Sequence, residues 1–230
     1  MIGVIAALDE EVSVLAKHLD HVDRRARSRI ALEVSGMGPK NAERAARKML
    51  EKLSLERLLI IGVSGAVTEG LGVGTLIAAR EIIAQDGSRY RPDRGLVEIA
   101  LARSHALAGV VISPRKLVST PEEKARIALK ARASRAVVDL ESAAFADVAE
   151  RAGVPYLVLR AVSDTADEAL PSVLADSQAG DGTIARRSVA LRALVHPGSW
   201  LALGRLRTRV HACAHRLAFA IEELEQCASH

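Results

Sequence analysis

Aromatic side chains are scarce in this chain of 230 residues, which contains one Trp, two Tyr and two Phe. Proteins that bind single-stranded nucleic acids stack the bases on aromatic rings, and few rings are available here. The formal net charge of +4 is mild, so it favours anionic ligands only weakly. We therefore expect no nucleic-acid partner.

Cysteine is almost absent as well. Cys213 and Cys227 are the only two cysteines, and both lie in the last predicted helical segment. If that helix is continuous, the two are about 21 Å apart at 1.5 Å per residue, which is too far for a disulfide. The sequence therefore predicts neither a disulfide framework nor a metal site, and a reducing cytoplasm suits it.

Long apolar runs are missing too. The first apolar run covers only residues 2–7, acidic residues follow it, and no basic segment precedes it. Neither a signal peptide nor a membrane span is therefore predicted. Apolar residues still make up 49% of the chain, which is enough to form a sizeable core in one domain.

Strand-like and helical patterns alternate along most of the chain. The predicted strands are residues 2–7, 31–34, 58–63, 74–79, 110–113, the one that begins at residue 137, and 154–162. The predicted helices are residues 10–19, 41–52, 121–131, 142–152 and 201–224, and residues 171–182 are predicted as a loop. This alternation favours a mainly parallel sheet with helices on both faces, although the direction of the strand near residue 76 stays open.

Carboxylates cluster where two predicted strands end. Asp139 and Glu141 follow one strand, and residues two apart in an extended segment point to the same face. Ser163 and Asp164 end the next strand. Taken singly, each of these residues also fits helix capping. Because ligands of α/β sheets bind outside the carboxyl ends of strands, their combination predicts a functional site at that edge.

Two turns that contain glycine follow predicted strands: SGMGPKN at residues 35–41 and GVSGA at residues 62–66. Glycine lets the backbone approach a ligand closely, and exposed N–H groups can bind an anion. Either turn alone is more often a simple tight turn. Neither matches the dinucleotide fingerprint or the P-loop, so nicotinamide and ATP chemistry are not supported.

Together these segments resemble the superfamily of nucleoside phosphorylases and methylthioadenosine/S-adenosylhomocysteine nucleosidases. The resemblance covers residues 2–170 through IGVIAALDEEV, SGMGPKNA, IGVSGAV followed by GVGTLI, VVDLES and VPYLVLRAVSDTAD, and the last two segments are the most specific. It implies an α/β fold, a single-domain three-layer αβα sandwich with a central mixed, mainly parallel sheet. We expect one domain over residues 1–230, with a C-terminal helical extension from about residue 186.

A narrower resemblance, to the hopanoid-biosynthesis-associated nucleoside phosphorylases, extends over the remainder. It is carried by VVDLES, RAVSDTADEALP, DGTI at residues 181–184, and a His196-Pro197 break inside residues 194–206. It implies removal of adenine from a 5′-substituted adenosine of the adenosylhopane type. The expected reaction is phosphorolysis, with phosphate as co-substrate and no cofactor. The alternatives are a methylthioadenosine/S-adenosylhomocysteine nucleosidase that uses water and, in another class, a non-catalytic nucleoside-binding protein.

The resemblance also implies a role for each site residue. Asp164 corresponds to the acid that protonates N7 of the purine, and Ser163 helps to orient it. Glu141 corresponds to the glutamate that binds the ribose hydroxyls, and its charge suits a cationic sugar. The remaining implied substrate-side residues are Leu140 under the sugar, Arg160 as an orienting group and Asp139 in support.

The nucleophile is the open question. Glu11 corresponds to the glutamate that activates water in the nucleosidases, whereas LDEEV at residues 8–12 departs from the Gly-Asp-Pro-x-Arg of other phosphorylases. A carboxylate repels a phosphate dianion unless it is protonated or screened. Val63 stands where many relatives carry a serine, so the expected phosphate-binding groups are the backbone N–H groups of Ser64 and Gly65. We expect phosphorolysis by a narrow margin.

The last predicted helix carries arginines among apolar residues, including Arg205, Arg207 and Arg209. A helix that packs on the sheet with a solvated basic face is the favoured interpretation, and peripheral contact with a membrane surface is the alternative. His211 and His215 are four residues apart but have no acidic partner nearby in the sequence, so no metal site is predicted. The family resemblance implies a homodimer.

Overall fold

The computed structural model describes residues 1–22, 28–180, 182–184 and 199–226. Its strands are β1 (Ile2–Ala6), β2 (Ile30–Val34), β3 (Arg57–Ala66), β4 (Leu76–Ala84), β5 (Arg89–Tyr90), β6 (Leu107–Ser113), β7 (Ala136–Val138) and β8 (Tyr156–Asp164). Its helices are α1 (Asp9–Val22), α2 (Pro39–Lys52), α3 (Arg94–Arg103), α4 (Pro121–Ala131), α5 (Ser142–Arg151), α6 (Ser172–Asp176) and α7 (Ser199–Gln226).

These strands form one mixed sheet. β2, β1, β3 and β8 are parallel neighbours in that order, and β4 joins β8 in the antiparallel direction. β6 is parallel to β4 and β7 is parallel to β6, while the end of β3 pairs with β7 in the antiparallel direction. Five strands, β3, β8, β4, β6 and β7, therefore close into a ring.

The two faces of the sheet bury separate sets of apolar side chains, because successive residues of a strand point to opposite faces. In β8, Leu157 and Leu159 belong to the core shared with α1, α3 and α7, whereas Val158 and Val162 belong to the core shared with α2 and α5. All nine positions of β8 are buried, so it is a central strand. The predicted three-layer α/β fold with a mixed sheet is confirmed.

Three elements differ from the sequence prediction. α3 was not predicted, because it buries only Val97 and Ala100 and so has a narrow apolar face. β5 has only two residues. The single turn of α6 lies inside residues 171–182, which were predicted as a loop. The open direction of β4 is resolved as antiparallel to β8 and parallel to β6, with a bulge between Ala79 and Glu81.

The predicted C-terminal helix is present as α7, which packs against α1 and β8. It buries Cys213, Leu217 and Ile221, as expected for a helix packed on the sheet. Among the described residues no helix combines the length and apolarity that crossing a bilayer requires. Cys227, Asp181, the His196-Pro197 break and the extension boundary near residue 186 lie outside the described ranges, so those predictions stay predictions.

Candidate functional site

A cavity of about 400 Å³ opens at the carboxyl ends of β1, β3, β7 and β8. All of the site residues predicted from the sequence line it, and we call this set the inner wall: Glu11, Ser64, Gly65, Asp139, Leu140, Glu141, Arg160, Ser163 and Asp164. The predicted convergence of the strand ends is therefore observed. The roles of these residues remain predictions at this point.

Glu11 lies in the first turn of α1 and is 1% exposed. Its Oε2 accepts a hydrogen bond from the Leu8 N–H at 2.9 Å, and its Oε1 accepts one from the Val63 N–H at 2.8 Å. Burial raises the pKa of this carboxyl, while the Leu8 N–H and the charge of Arg160 oppose the shift. Because the Val63 N–H group donates to Glu11, it is not available to a ligand in the cavity.

The glycines of the turn at residues 62–66 make room for side chains. A Cβ atom on Gly62 would lie 2.1 Å from Nη1 of Arg160, and a Cβ on Gly65 would lie 2.8 Å from Oδ2 of Asp164. Any larger residue at either position would displace a charged group of the inner wall. The family resemblance implies phosphate binding by backbone N–H groups of this turn, and in the structure its glycines permit the close approach of these two side chains.

Arg160 is 1% exposed and bonds to several groups beneath the cavity. Its Nη1 donates to the Ile61 carbonyl at 3.1 Å, and its Nε and Nη2 donate to Ser142 Oγ at 3.1 and 2.8 Å. Its Nη2 also lies 2.6 Å from Asp139 Oδ2. Asp139 in turn accepts hydrogen bonds from Ser113 Oγ and from the N–H and hydroxyl of Ser142. Arg160 and Asp139 therefore form a buried polar network that holds the side chains beneath the cavity in place.

Glu141 connects the other glycine turn to the cavity. Its Oε1 accepts a hydrogen bond from the Gly38 N–H at 2.6 Å. Gly38 has φ of 102°, and a Cβ there would lie 2.7 Å from the Gly182 carbonyl oxygen, so glycine is required. Burial and the nearby charge of Asp139 raise the pKa of Glu141 to about 7. Glu141 is therefore an acid that changes charge near neutral pH.

Asp164 is 4% exposed and both of its oxygens have partners. Ser163 Oγ donates to Oδ1 at 2.6 Å, and the Nζ of Lys124 lies 2.6 Å from Oδ2. Sequence reasoning missed Lys124, because TPEEK looks like an ordinary charged first turn with a capping box. That capping box is present between Thr120 and Glu123, but it does not reveal that the next residue faces the core.

The outer part of the cavity is mainly apolar, with Arg207 as its charged member, and was also missed. We call it the apolar wall, and its residues are Met37, Leu117, Leu170, Leu174, Ile184, Leu203, Leu206 and Val210. α6 and α7 contribute four of them. These four could be recognised only from the packing of the two helices over the strand ends. No aromatic side chain of the described residues lines the cavity.

Comparisons with curated proteins point to one group of enzymes. The 5′-methylthioadenosine/S-adenosylhomocysteine nucleosidase of Maridesulfovibrio salexigens is 27% identical over 201 residues, which cover 73% of this chain and 87% of that protein. The enzyme of the same name from Staphylococcus epidermidis is 24% identical over 200 residues, with the same coverage of 73% and 87%.

Solved structures share the fold. A 5′-methylthioadenosine/S-adenosylhomocysteine nucleosidase from Neisseria meningitidis, in complex with methylthio-immucillin-A, superposes with a TM-score of 0.74 at 21% identity over 97% of each chain. The futalosine hydrolase of Helicobacter pylori gives a TM-score of 0.72 at 18% identity, with 97% of this chain and 96% of that chain covered. A sequence model of the phosphorylase superfamily matches residues 1–194. Since that match spans most of the sequence, the chain belongs to the phosphorylase superfamily.

Proposed function

We propose that this protein is an enzyme that releases adenine from an adenosine with a large apolar 5′ substituent, of the adenosylhopane type. N-glycosidic cleavage with adenine release is supported by the curated nucleosidases to which the chain is similar. The single observation that carries the choice of substituent is the apolar wall, which continues the cavity outward from the carboxylates. An apolar chain buried there would gain about 0.8 kcal/mol for each CH₂ group.

The inner wall suits the charges that develop when the bond between the sugar and the base breaks. Negative charge grows on the purine and positive charge on the sugar, so an acid at N7 and a carboxylate at the sugar both stabilise the transition state. Asp164 serves as the acid and Glu141 serves as the carboxylate at the ribose. Leu140 supplies an apolar surface beneath the sugar. These assignments follow the family resemblance and the shared cavity.

Water is one candidate nucleophile, and the contacts of Glu11 favour it. Two backbone N–H groups hold the Glu11 carboxylate in place, as a general base requires. The described residues that line the cavity include the carboxyl groups of Glu10, Glu11, Asp139, Glu141 and Asp164. Their positive counterparts are fewer: Arg160 and Arg207 in the lining, and Lys124 beside Asp164. A phosphate dianion is repelled by such an excess of carboxylates. The charge balance therefore argues for hydrolysis.

Phosphate is the other candidate, favoured by Ser64 and by the narrower resemblance. The Ser64 hydroxyl is buried, lines the cavity and has no hydrogen-bond partner in the described part of the chain. A buried hydroxyl without a partner is unusual, and a phosphate oxygen could accept from it. Phosphorolysis also requires a protonated Glu11, which the raised pKa of this group favours at low pH.

The deciding assay measures adenine release from methylthioadenosine and from a water-soluble 5′-alkyl adenosine, each with and without phosphate. We expect kcat/KM to rise about fourfold for each added methylene that the apolar wall covers. Leu206→Asn should abolish this preference, while Leu201→Asn, at a side chain 78% exposed on the same helix, should retain it. Equal activity on both substrates would contradict the proposed substituent.

The pH dependence of the same assay separates the two nucleophiles. If Glu11 is the base for water, phosphate-independent release increases as the pH rises through its elevated pKa. If phosphate is the nucleophile, release depends on phosphate and decreases over the same range, because Glu11 then becomes a charged neighbour of the dianion. Glu11→Gln should abolish hydrolysis but retain phosphorolysis.

We also propose that a cytoplasmic homodimer contacts the anionic surface of a bilayer through the first half of α7. Trp200 is 57% exposed and Leu201 78% exposed, and the exposed Arg205 and Arg207 lie on the same helix. Exposed apolar side chains flanked by arginines are typical of helices that lie at an interface. In a flotation assay the protein should be recovered with vesicles of anionic lipid. The double variant Leu201→Asp with Arg205→Glu should not be recovered with them. Vesicle binding that is unaffected by this pair of substitutions would contradict the proposed membrane contact. Sedimentation velocity tests the proposed dimer separately.

A further inference from the structure

Lys124 is a fully buried cation that the chemistry described above does not use. It is 0% exposed, and its Nζ lies within hydrogen-bonding distance of three oxygens. These are Asp164 Oδ2 at 2.6 Å, the Thr165 carbonyl at 2.5 Å and the Glu168 carbonyl at 2.8 Å. An ammonium group has three N–H donors, so this set of acceptors matches the charged form of lysine. A buried charge is retained only with such partners.

The position of this cation follows from the start of α4. Thr120 Oγ1 accepts a hydrogen bond from the Glu123 N–H, and Glu123 Oε2 accepts one from the Thr120 N–H. This reciprocal capping box fixes the first turn of the helix. Lys124 follows immediately and points from that turn to the end of β8. The two carbonyls that it contacts belong to the segment directly after Asp164.

We propose that Lys124 is a positioning residue for proton transfer, which holds the Asp164 carboxyl toward the base and stabilises the carboxylate that remains after the proton has left. This inference rests on the proposed function. With Oδ2 beside the ammonium and Oδ1 beside Ser163 Oγ, the plane of the carboxyl is fixed from both sides.

The reaction step balances with these groups. The C1′–N9 bond breaks and its electron pair passes into the adenine ring, while the proton of the Asp164 carboxyl moves to N7. The nucleophile oxygen forms the new bond to C1′, and where the nucleophile is water, the Glu11 carboxylate takes the proton that the water loses. While the Asp164 carboxyl holds the proton, it and Lys124 together carry one positive charge, and after the transfer they form a neutral ion pair across the 2.6 Å contact of the structure. In a buried site the neutral pair is the better-stabilised arrangement, so Lys124 acts on the proton-transfer step itself.

The test compares two leaving groups on one sugar. Adenine needs a proton at N7 to leave, whereas 4-nitrophenolate leaves without one, so a 4-nitrophenyl riboside with the same 5′-alkyl chain bypasses Asp164. We expect Lys124→Met to reduce kcat for adenine release about 10²–10³-fold and to change kcat for nitrophenolate release less than about threefold. Lys130→Met, at an exposed position of the same helix, is the matched control.

Each outcome has a distinct meaning. Equal losses on both substrates would show that Lys124 only maintains the structure, and unchanged adenine release would show that it has no part in the step. If the methionine variant does not fold, Lys124→Gln keeps a donor beside Asp164 without the charge, and the same ratio of losses applies. A wild-type protein that releases no adenine from any 5′-substituted adenosine overturns the proposed function instead, together with this inference.

Discussion

Replacing Asp164 by Asn is expected to reduce the turnover number for adenine release by about 10²–10⁴-fold, the usual contribution of a general acid. The amide cannot donate a proton of comparable acidity, but it keeps the size of the carboxyl and a donor for N7. The dissociation constant for the nucleoside should therefore change less than about tenfold. Single-turnover release of adenine gives the first quantity, and calorimetric titration with a slowly reacting analogue gives the second.

Asp167→Asn is the matched control for this prediction. Asp167 lies three residues further along the same segment and is exposed. It accepts a hydrogen bond from the Thr165 hydroxyl and does not line the cavity. Its replacement should leave both quantities unchanged. A wild-type protein that binds nucleosides without releasing adenine, and an Asp164→Asn variant that binds equally well, would instead identify a non-catalytic nucleoside-binding protein.

Replacing Glu141 by Gln is expected to lower activity and to raise stability at alkaline pH. In the folded protein the pKa of Glu141 is raised from 4.5 to about 7, mainly by burial. A carboxyl with a raised folded pKa contributes stability that is fully present below the unfolded pKa. That contribution is lost as the pH rises through the folded pKa. Above pH 8 the wild type therefore holds a destabilising carboxylate that the glutamine variant lacks.

The expected magnitude is about 3 kcal/mol in the free energy of unfolding at pH 9, from 1.36 kcal/mol per pH unit of displacement. Urea unfolding of both proteins at pH 5 and pH 9 measures it, with Glu223→Gln on the exposed face of α7 as the control. Adenine release should fall about 10²–10³-fold, because a neutral amide stabilises a cationic sugar poorly. A variant that is both active and no more stable would contradict the assignment of Glu141.

Much of the inner wall could be predicted from sequence because its residues follow local patterns. Asp139, Glu141, Ser163 and Asp164 lie at or just after the ends of apolar strands, and ligands of α/β sheets bind outside such strand ends. Their assignment to particular chemical roles came from the family resemblance. The strand pattern alone leaves helix capping as an equal explanation for each residue.

Lys124 and the apolar wall could not be predicted, for different reasons. Lys124 lies in a charged turn where solvent exposure is the usual outcome for lysine, and only the tertiary packing of α4 on β8 places it beside Asp164. Leu203, Leu206 and Val210 look like the apolar face of any amphipathic helix. Whether such a face covers a core or a cavity depends on the helix position, which periodicity does not encode.

The closed ring of strands has a consequence for the order in which the protein forms. β3 pairs with β8 through contacts such as Ile60 with Val158, which are almost one hundred residues apart in the chain. Contacts so distant in sequence form late, because the intervening loop must close first. During synthesis the edge of β3 that pairs with β8 stays unpaired until β8 has left the ribosome. Catalytic competence and protection of that edge from aggregation therefore arise in the same event.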